Sequence, residues 1–330
     1  MLSRTADHLF WMARYMERAE NTARMLDVDY QMSMLPQSTE AAEQGWRALL
    51  SISELTDIYL ARHTHVNARD VIDFMVRDAT NASSIVSCVR AARENARAVR
   101  GALTTEVWET QNQTWLELNR MLSVNQFLRD PSTLFEWVKF RSHLSRGVTL
   151  GTMLQDESLH FLRIGTFLER ADNTARLLDV KFESPAGGEV SASVAAQALA
   201  PLSPEAQEDD FYYWSAVLRS VSGFEVYRKV YRNVIRPDKV AELLILRADM
   251  PRSLAACMTG VVANLDLVAN AQSAQTLRSA GRLHSDLLYG RIDEILAMGL
   301  HAYLRQFLQR VGVLGVGISR DFLVPVATSY

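Results

Sequence analysis

The sequence contains little of several features that mark particular protein classes. Its 330 residues include only two cysteines, Cys88 and Cys257, too few for a disulfide framework. No run approaches the roughly 18 apolar residues of a membrane span. Charged residues such as Arg4 and Asp7 interrupt the apolar residues at the amino terminus, which is not the pattern of a signal peptide. These absences predict a soluble cytoplasmic protein with no membrane partner.

An excess of basic charge is also missing. The chain has 35 Lys and Arg against 38 Asp and Glu, a formal net charge of −3. Nucleic-acid-binding proteins normally carry a basic imbalance, so we expect no nucleic-acid partner. Lysine is scarce, and almost all basic residues are Arg, which suits bidentate pairing with carboxylate or phosphate. The coding bias of a GC-rich genome would produce the same excess of Arg.

Convincing strand patterns are absent, and helical spacing of apolar residues dominates the chain. We therefore predict an all-α fold, with 48% hydrophobic residues to supply its core. The segment 183–208 holds three of the eight prolines and few large side chains, which indicates a loop or linker. The predicted helices are 3–34, 40–60, a short one capped by Asn67, 81–103 capped by Asn81, 105–128, one opening at Pro131, 156–182, 238–246, one starting at Pro251, and one or two across 277–311.

The most informative feature is an internal repeat. Residues 17–28 read ERAENTARMLDV and residues 169–180 read ERADNTARLLDV, which makes ten of twelve positions identical at an offset of 152. Further on, SSIVSCV at 83–89 aligns with RSLAACM at 252–258 at an offset of 169, placing Cys88 opposite Cys257 in small apolar core positions. We predict one domain, 1–330, built from similar halves at 1–150 and 155–330, packed as a helical bundle about a pseudo-two-fold axis.

Each copy of the repeated helix carries a polar stripe. At about 100° per residue, Glu17, Asn21 and Arg24 lie within roughly 60° of one another, with apolar residues at both ends of that face. Such a helix is predicted to be central, with its polar middle buried or facing a cleft. A buried charge must meet a partner. The residues that we assign to a ligand site are Arg14, Glu17, Asn21, Arg24, Glu169, Asn173 and Arg176.

A purely structural network would explain the same residues. Glu20 lies four residues before Arg24 and Asp172 four before Arg176, the favourable order for helix ion pairs, and Glu17 could reach Arg176 across the pseudo-axis. The functional alternative is a pocket that recognises a carboxylate, an amine or a phosphate.

The arginines that complete the two Glu-Arg pairs, Arg18 and Arg170, lie about 100° from their glutamates and cannot share the same direct partner. We assign them, together with Asp27 and Asp179, to structural or partner contacts.

Signals for catalysis and cofactors are weak. Glu157 and His160 have the Glu-x-x-His spacing of di-iron bundles, but the first copy has Thr5 where Glu157 stands, and two such motifs are needed. His8 and His160 are interpreted as core histidines. A glycine-rich phosphate loop, a nucleophile elbow and zinc-ligand spacing are not found in the sequence. We therefore predict no metal, no cofactor and no catalytic residue.

The segments MLSRTADHLFWMARYMERAENTAR and HFLRIGTFLERADNTARLLDV resemble the bacterial alpha-E domain family, an all-helical family named for its Glu-Arg motif. The resemblance covers essentially the whole chain. It implies association with circularly permuted ATP-grasp ligases and transglutaminase-like proteins, sometimes as fusions. The leading hypothesis is a non-catalytic partner of an ATP-grasp amidoligase that binds a peptide-like or carboxylate-bearing molecule. The alternatives are an enzyme of peptide or amino-acid metabolism with Glu17 or Glu169 as acid-base, and a purely structural helical subunit.

Overall fold

The computed structural model describes residues 1–36, 38–124, 126–182 and 204–323, and this part of the chain is helical, without any strand. The predicted all-α class is therefore confirmed. Its α-helices are α1 (Ser3–Ser33), α2 (Thr39–Ile52), α3 (Thr56–Leu60), α4 (Ala68–Arg77), α5 (Ile85–Ala98), α6 (Thr105–Ser123), α7 (Pro131–Thr152), α8 (Glu157–Phe182), α9 (Pro204–Ser220), α10 (Phe224–Tyr231), α11 (Pro237–Ile245), α12 (Leu254–Leu267), α13 (Ala274–Leu288), α14 (Ile292–Met298) and α15 (Leu300–Phe322).

The two helices that carry the repeat, α1 and α8, form the centre of the molecule. They pack against each other more extensively than any other pair of elements. Helix α1 also packs on α5 and α7, which α6 connects, and α8 packs on α12 and α15, which α13 connects. Each repeated helix thus belongs to one four-helix group: the first group is α1, α5, α6 and α7, and the second group is α8, α12, α13 and α15.

Matching contacts occur in the two groups. Nδ1 of His8 lies 2.8 Å from Oδ1 of Asn95, and Nδ1 of His160 lies 2.8 Å from Oδ1 of Asn264. Both histidines are therefore held by an asparagine, as expected of structural residues. These are local equivalences that accompany the sequence repeat. The pseudo-two-fold rotation of whole halves stays a prediction.

Small residues allow α1 and α8 to approach closely. A Cβ atom added at Gly165 of α8 would lie 2.4 Å from the Phe10 carbonyl oxygen of α1 and 3.4 Å from the Cβ of Ala13. Ala19 and Ala171 are fully buried on the two helices. The backbone of one helix therefore contacts the other directly at this crossing.

Some predicted helix boundaries were wrong in the first half. The segment 40–60 forms two helices, because the chain turns at Glu54, which has a φ of 56°. Asn81 does not cap α5. Its amide nitrogen donates to the Phe74 carbonyl oxygen at 3.2 Å, and the Ser84 hydroxyl accepts from the first turn of α5 instead. The cap predicted at Asn67 is confirmed, since its side chain accepts from the Asp70 nitrogen.

The second half differs from the prediction in three places. Residues 204–208 of the predicted linker belong to α9, whereas 183–203 lie outside the described residues. Helix α12 begins at Leu254 after a cap by Ser253, because Pro251 lies in the preceding turn. The stretch 277–311 is divided among three helices, with Gly299 at a φ of +95° between the last two.

Among the helices that the structure describes, no helix combines the length and the apolar composition that a bilayer span requires.

Candidate ligand cavity

The two Glu-Arg pairs exchange partners across the α1–α8 contact. Nε and Nη2 of Arg170 donate to the two carboxylate oxygens of Glu17 at 2.9 and 3.0 Å. Nε and Nη2 of Arg18 donate to those of Glu169 at 2.5 and 3.1 Å. The predicted pairing of Glu17 with Arg176 was therefore wrong. The arginine next to each glutamate, not the one seven residues later, contacts the opposite helix.

Glu169 has a second guanidinium partner, because Nε of Arg14 donates to it at 2.6 Å. Burial alone would raise the pKa of the Glu169 carboxyl, but Arg14 and Arg18 outweigh it and lower the pKa to about 2. The carboxylate is thus ionised at any physiological pH.

Glu17 and Glu20 share a network with arginines from three further positions. Nη1 of Arg252 donates to Glu17 at 2.9 Å, and its Nη2 donates to Glu20 at 2.5 Å. Nη1 of Arg146 lies between the two carboxylates, 3.0 Å from Glu17 and 2.5 Å from Glu20. Arg24 adds a bond from Nε to Glu20 at 2.8 Å. Both glutamates are almost completely buried.

Positive charge exceeds negative charge in this network. The arginine-carboxylate cluster consists of Glu17, Glu20, Glu169, Arg14, Arg18, Arg24, Arg146, Arg170 and Arg252. Six guanidiniums therefore meet three carboxylates among the described residues. Burial lowers the pKa of Arg252 even though Glu17 and Glu20 oppose this. Three of the guanidiniums, those of Arg24, Arg170 and Arg252, are buried with the three carboxylates, whereas the other three are partly exposed. The excess positive charge therefore lies on partly exposed arginines, where it favours the binding of an anion.

A cavity of about 380 Å³ adjoins the cluster. Helices α1, α7, α8 and α12 form its walls. Glu17, Arg146 and Arg170 connect it to the cluster, and most of its lining surface is apolar. The lining residues are Met12, Ala13, Met16, Glu17, Ser142, Ser145, Arg146, Thr149, Leu150, Leu159, Leu162, Arg163, Thr166, Phe167, Arg170, Gly260 and Asn264.

Arg163 is a guanidinium in this lining without a counter-ion in the part of the chain that the structure describes. It is partly buried on α8 and has no hydrogen bond or ion pair with any described residue. Arg170, seven residues later on the same helix, is paired with Glu17. The cavity therefore has one occupied and one unoccupied arginine along its α8 wall.

Of the residues that the sequence assigned to a ligand site, only Glu17 lines the cavity. Arg14 and Glu169 pair with each other, and the Asn21 amide oxygen accepts from Arg252 at 2.8 Å. Nη1 of Arg24 donates to the Ser222 hydroxyl at 2.6 Å. These residues join the cluster but do not face the cavity.

Arg176 and Asn173 lie away from both the cavity and the cluster. Arg176 pairs with Asp172 at 2.7 Å, which confirms the predicted ion pair within the helix. It also pairs with Glu54. Asn173 is partly buried and makes no hydrogen bond within the described residues. The second copy of the stripe is therefore not assembled with the first into one symmetric pocket.

The two aspartates that end the repeat have separate partners. Nζ of Lys139 donates to Asp27 at 2.8 Å. Nδ1 of His301 lies 2.6 Å from a carboxylate oxygen of Asp179. Both contacts tie the central helices to neighbouring ones.

Sequence reasoning missed Arg146, Arg163 and Arg252. Arg146 is on α7, outside the aligned segments, and Arg252 stands opposite Ser83 in them, so neither position showed a replicated charge. Arg163 aligns with Trp11 in the other copy of the repeat, so the comparison of the two copies did not mark it as a shared charged position. The one available clue was spacing, because 163, 166, 167 and 170 follow one face of a helix.

The cavity offers little for catalysis. The oxygens of Glu17 accept from three guanidiniums, and two of these, Arg170 and Arg252, lower its pKa despite burial, so the carboxylate is a weak base. Burial raises the pKa of each thiol, Cys88 and Cys257, to about 12. In the described ranges, no group of three or more His, Cys, Asp or Glu could hold a metal ion.

Comparison with known proteins gives both relatives and a family for this chain. Uncharacterized proteins from Mycobacterium bovis and Mycobacterium tuberculosis are 26% identical over 333 residues, covering 92% of this chain and 35% of each relative. The chain thus spans about a third of the length of these relatives. No solved structure matches it. The family model that matches residues 1–323 is described as a predicted alpha-helical domain with a conserved ER motif, and the chain belongs to this Alpha-E family.

Proposed function

We propose that this protein is a non-catalytic subunit that holds a peptide-like, carboxylate-bearing molecule for an ATP-grasp amidoligase. The observation that carries the proposal is a cavity beside a cluster with more guanidiniums than carboxylates, with Arg163, which pairs with no described residue, in its wall. Arginine is suited to bidentate recognition of a carboxylate. The ligase itself is inferred from the family resemblance.

The state of the buried carboxylates supports binding over catalysis. A general base needs a pKa near the working pH and a free lone pair. Glu169 has a pKa of about 2 and contacts Arg14 and Arg18, and Glu17 contacts Arg170 in the same way. The alternative of an enzyme with Glu17 or Glu169 as acid-base is therefore disfavoured.

The mycobacterial relatives are long enough to contain further regions beside the one that matches this chain, which supports a domain that acts together with another protein or domain. Most of each mycobacterial relative lies outside the region matched by this chain. A transglutaminase-like protein is the second partner that the family resemblance suggests.

The proposal is tested by reconstituting amide-bond formation with the ATP-grasp ligase of the same host, with and without this protein. We expect ligase activity to depend on the added protein and to fall at least about tenfold with Arg163→Gln, which removes a charged hydrogen-bond partner. Arg282→Gln is the matched control, because Arg282 is exposed on α13 and outside the cavity.

Two results would overturn the accessory role. One is full ligase activity without this protein. The other is turnover of a peptide or amino-acid substrate by the isolated protein. Addition of ATP with magnesium should leave the melting temperature of the isolated chain unchanged, since the nucleotide is expected to bind the ligase.

A further inference from the structure

We infer that the cavity binds the carboxyl-terminal residue of a peptide-like molecule, an N-acylated amino acid with an apolar side chain, through an ion pair between its carboxylate and Arg163. The inference rests on the proposed function and specifies its ligand class. Three features of the cavity lead to it: a guanidinium that no described residue pairs with, largely apolar walls of limited volume, and the lack of an available carboxylate among the described lining residues.

Arg163 identifies where the anionic group lies. Its guanidinium is partly removed from water, yet it has no counter-ion among the described residues. The other two arginines of the cavity are engaged, Arg170 with Glu17 and Arg146 with both Glu17 and Glu20. A carboxylate that accepts two hydrogen bonds from Arg163 would supply the missing partner.

The walls identify what is attached to the carboxylate. Met12 and Met16 of α1, together with Leu159, Leu162 and Phe167 of α8, present hydrocarbon and an aromatic ring to the cavity. Its volume of about 380 Å³ is near the lower end of ligand pockets, which span roughly 300–1,000 Å³. The space suits one large apolar side chain with a small acyl group, not a long extended peptide.

The carboxylate in the lining is already paired, which argues against a free amino acid as the ligand. A free α-ammonium group beside the carboxylate would need an anionic partner in this low-dielectric space. Glu17 is the acidic residue among the described lining positions, and its oxygens already accept from Arg146, Arg170 and Arg252. An N-acylated ligand has no ammonium charge and avoids this cost.

Isothermal titration calorimetry on the isolated protein tests the ligand class. The probes are N-acetyl-L-phenylalanine, L-phenylalanine, N-acetyl-L-phenylalaninamide and octanoate. We expect N-acetyl-L-phenylalanine to bind at least about tenfold more tightly than each of the others, because only it combines the carboxylate, the apolar group and the acylated nitrogen. Equal or tighter binding of octanoate or of the free amino acid would overturn the inference, as would binding of the amide with undiminished affinity.

Variants test the place of binding. Arg163→Gln should weaken N-acetyl-L-phenylalanine by about tenfold or more without lowering the melting temperature, and Arg163→Lys should retain part of the affinity. Thr149→Leu adds apolar volume to the α7 wall, so it should abolish binding in a folded protein. Arg282→Gln should bind normally. Unchanged affinity in both Arg163→Gln and Thr149→Leu would place the ligand elsewhere and refute the inference.

The outcome can be separated from that of the proposed function. Binding to the isolated protein with a ligase that works fully without it would refute the accessory role and keep the ligand class. A ligase that requires this protein, together with no binding of N-acetyl-L-phenylalanine, would refute the ligand class and keep the accessory role.

Discussion

At the scale of single residues, each carboxylate of the arginine-carboxylate cluster is paired with more than one guanidinium. Glu20, for example, accepts from Arg24, Arg146 and Arg252 and from the Ser142 hydroxyl. Removing a shared carboxylate from such a network leaves several guanidiniums without that partner, which costs more than an exposed ion pair contributes. The effect of a substitution therefore depends on which charges are left behind.

We predict that Glu169→Gln lowers the free energy of unfolding by about 3 kcal/mol, because Arg14 and Arg18 lose their shared counter-ion while remaining partly buried. Urea denaturation followed by circular dichroism measures the change. Glu109→Gln is the control, since Glu109 is exposed on α6 and should change stability by less than about 0.5 kcal/mol. Equal stability of the two variants would contradict the account.

The lowered pKa of Glu169 predicts that the stability of the folded protein depends on pH. Its pKa is about 2 in the folded protein, below the value of about 4.3 for an unperturbed glutamate. Folding therefore favours the ionised form, and this stabilisation is complete above about pH 5 and is lost as the pH falls toward 2. In denaturation series from pH 7 to pH 3, the wild-type protein should lose stability more steeply than Glu169→Gln. Parallel curves would show that Glu169 does not contribute.

At the scale of secondary-structure elements, the crossing of α1 and α8 determines which side chains meet. The two backbones approach closely at Gly165, so long arginine side chains can span from one helix to the glutamate of the other. The same crossing leaves the cavity open beside it, between α1, α8 and the flanking helices α7 and α12.

Gly165→Ala is predicted to lower the free energy of unfolding by about 1 to 3 kcal/mol, because its Cβ would lie 2.4 Å from the Phe10 carbonyl oxygen and the helices would have to separate. Gly147→Ala is the matched control on α7. A Cβ at Gly147 would meet nothing within 4 Å, so the higher helix propensity of Ala should stabilise the protein by up to about 1 kcal/mol. Thermal or urea denaturation gives both values, and stabilisation by Gly165→Ala would refute the close crossing.

At the scale of the whole molecule, the α1–α8 contact joins the two four-helix groups through both apolar packing and the exchanged ion pairs. Each group alone would expose one side of its central helix and leave a buried glutamate or arginine without its partner. Neither group is therefore expected to be stable when the other is unfolded.

We accordingly predict a single cooperative unfolding transition. Five of the six tryptophans lie before residue 150, so tryptophan fluorescence mainly reports on the first half, whereas far-ultraviolet circular dichroism reports on helices of both halves. The two signals should give coincident urea transitions. Separate midpoints would show that the groups unfold independently.

Much of the helical architecture could be predicted from the sequence because helix periodicity is local. The repeat identified α1 and α8, their extents and their central burial, and the alignment of Cys88 with Cys257 matched two fully buried positions on α5 and α12. Turns were less predictable. The break at Glu54 and the cap at Ser84 depend on competing side-chain contacts that the sequence does not rank.

The sequence by itself determined that the two repeated glutamates must meet cationic partners, since apolar residues lie at both ends of their helix face. Only the tertiary structure decided the partners. Glu17 pairs with Arg170 because the crossing of α1 and α8 brings together residues that are far apart in the chain. Arg146 lines the cavity from a separate helix, α7. Spacing along one helix specifies a face, whereas a site requires the relative position of several helices, and that is a property of the packed core.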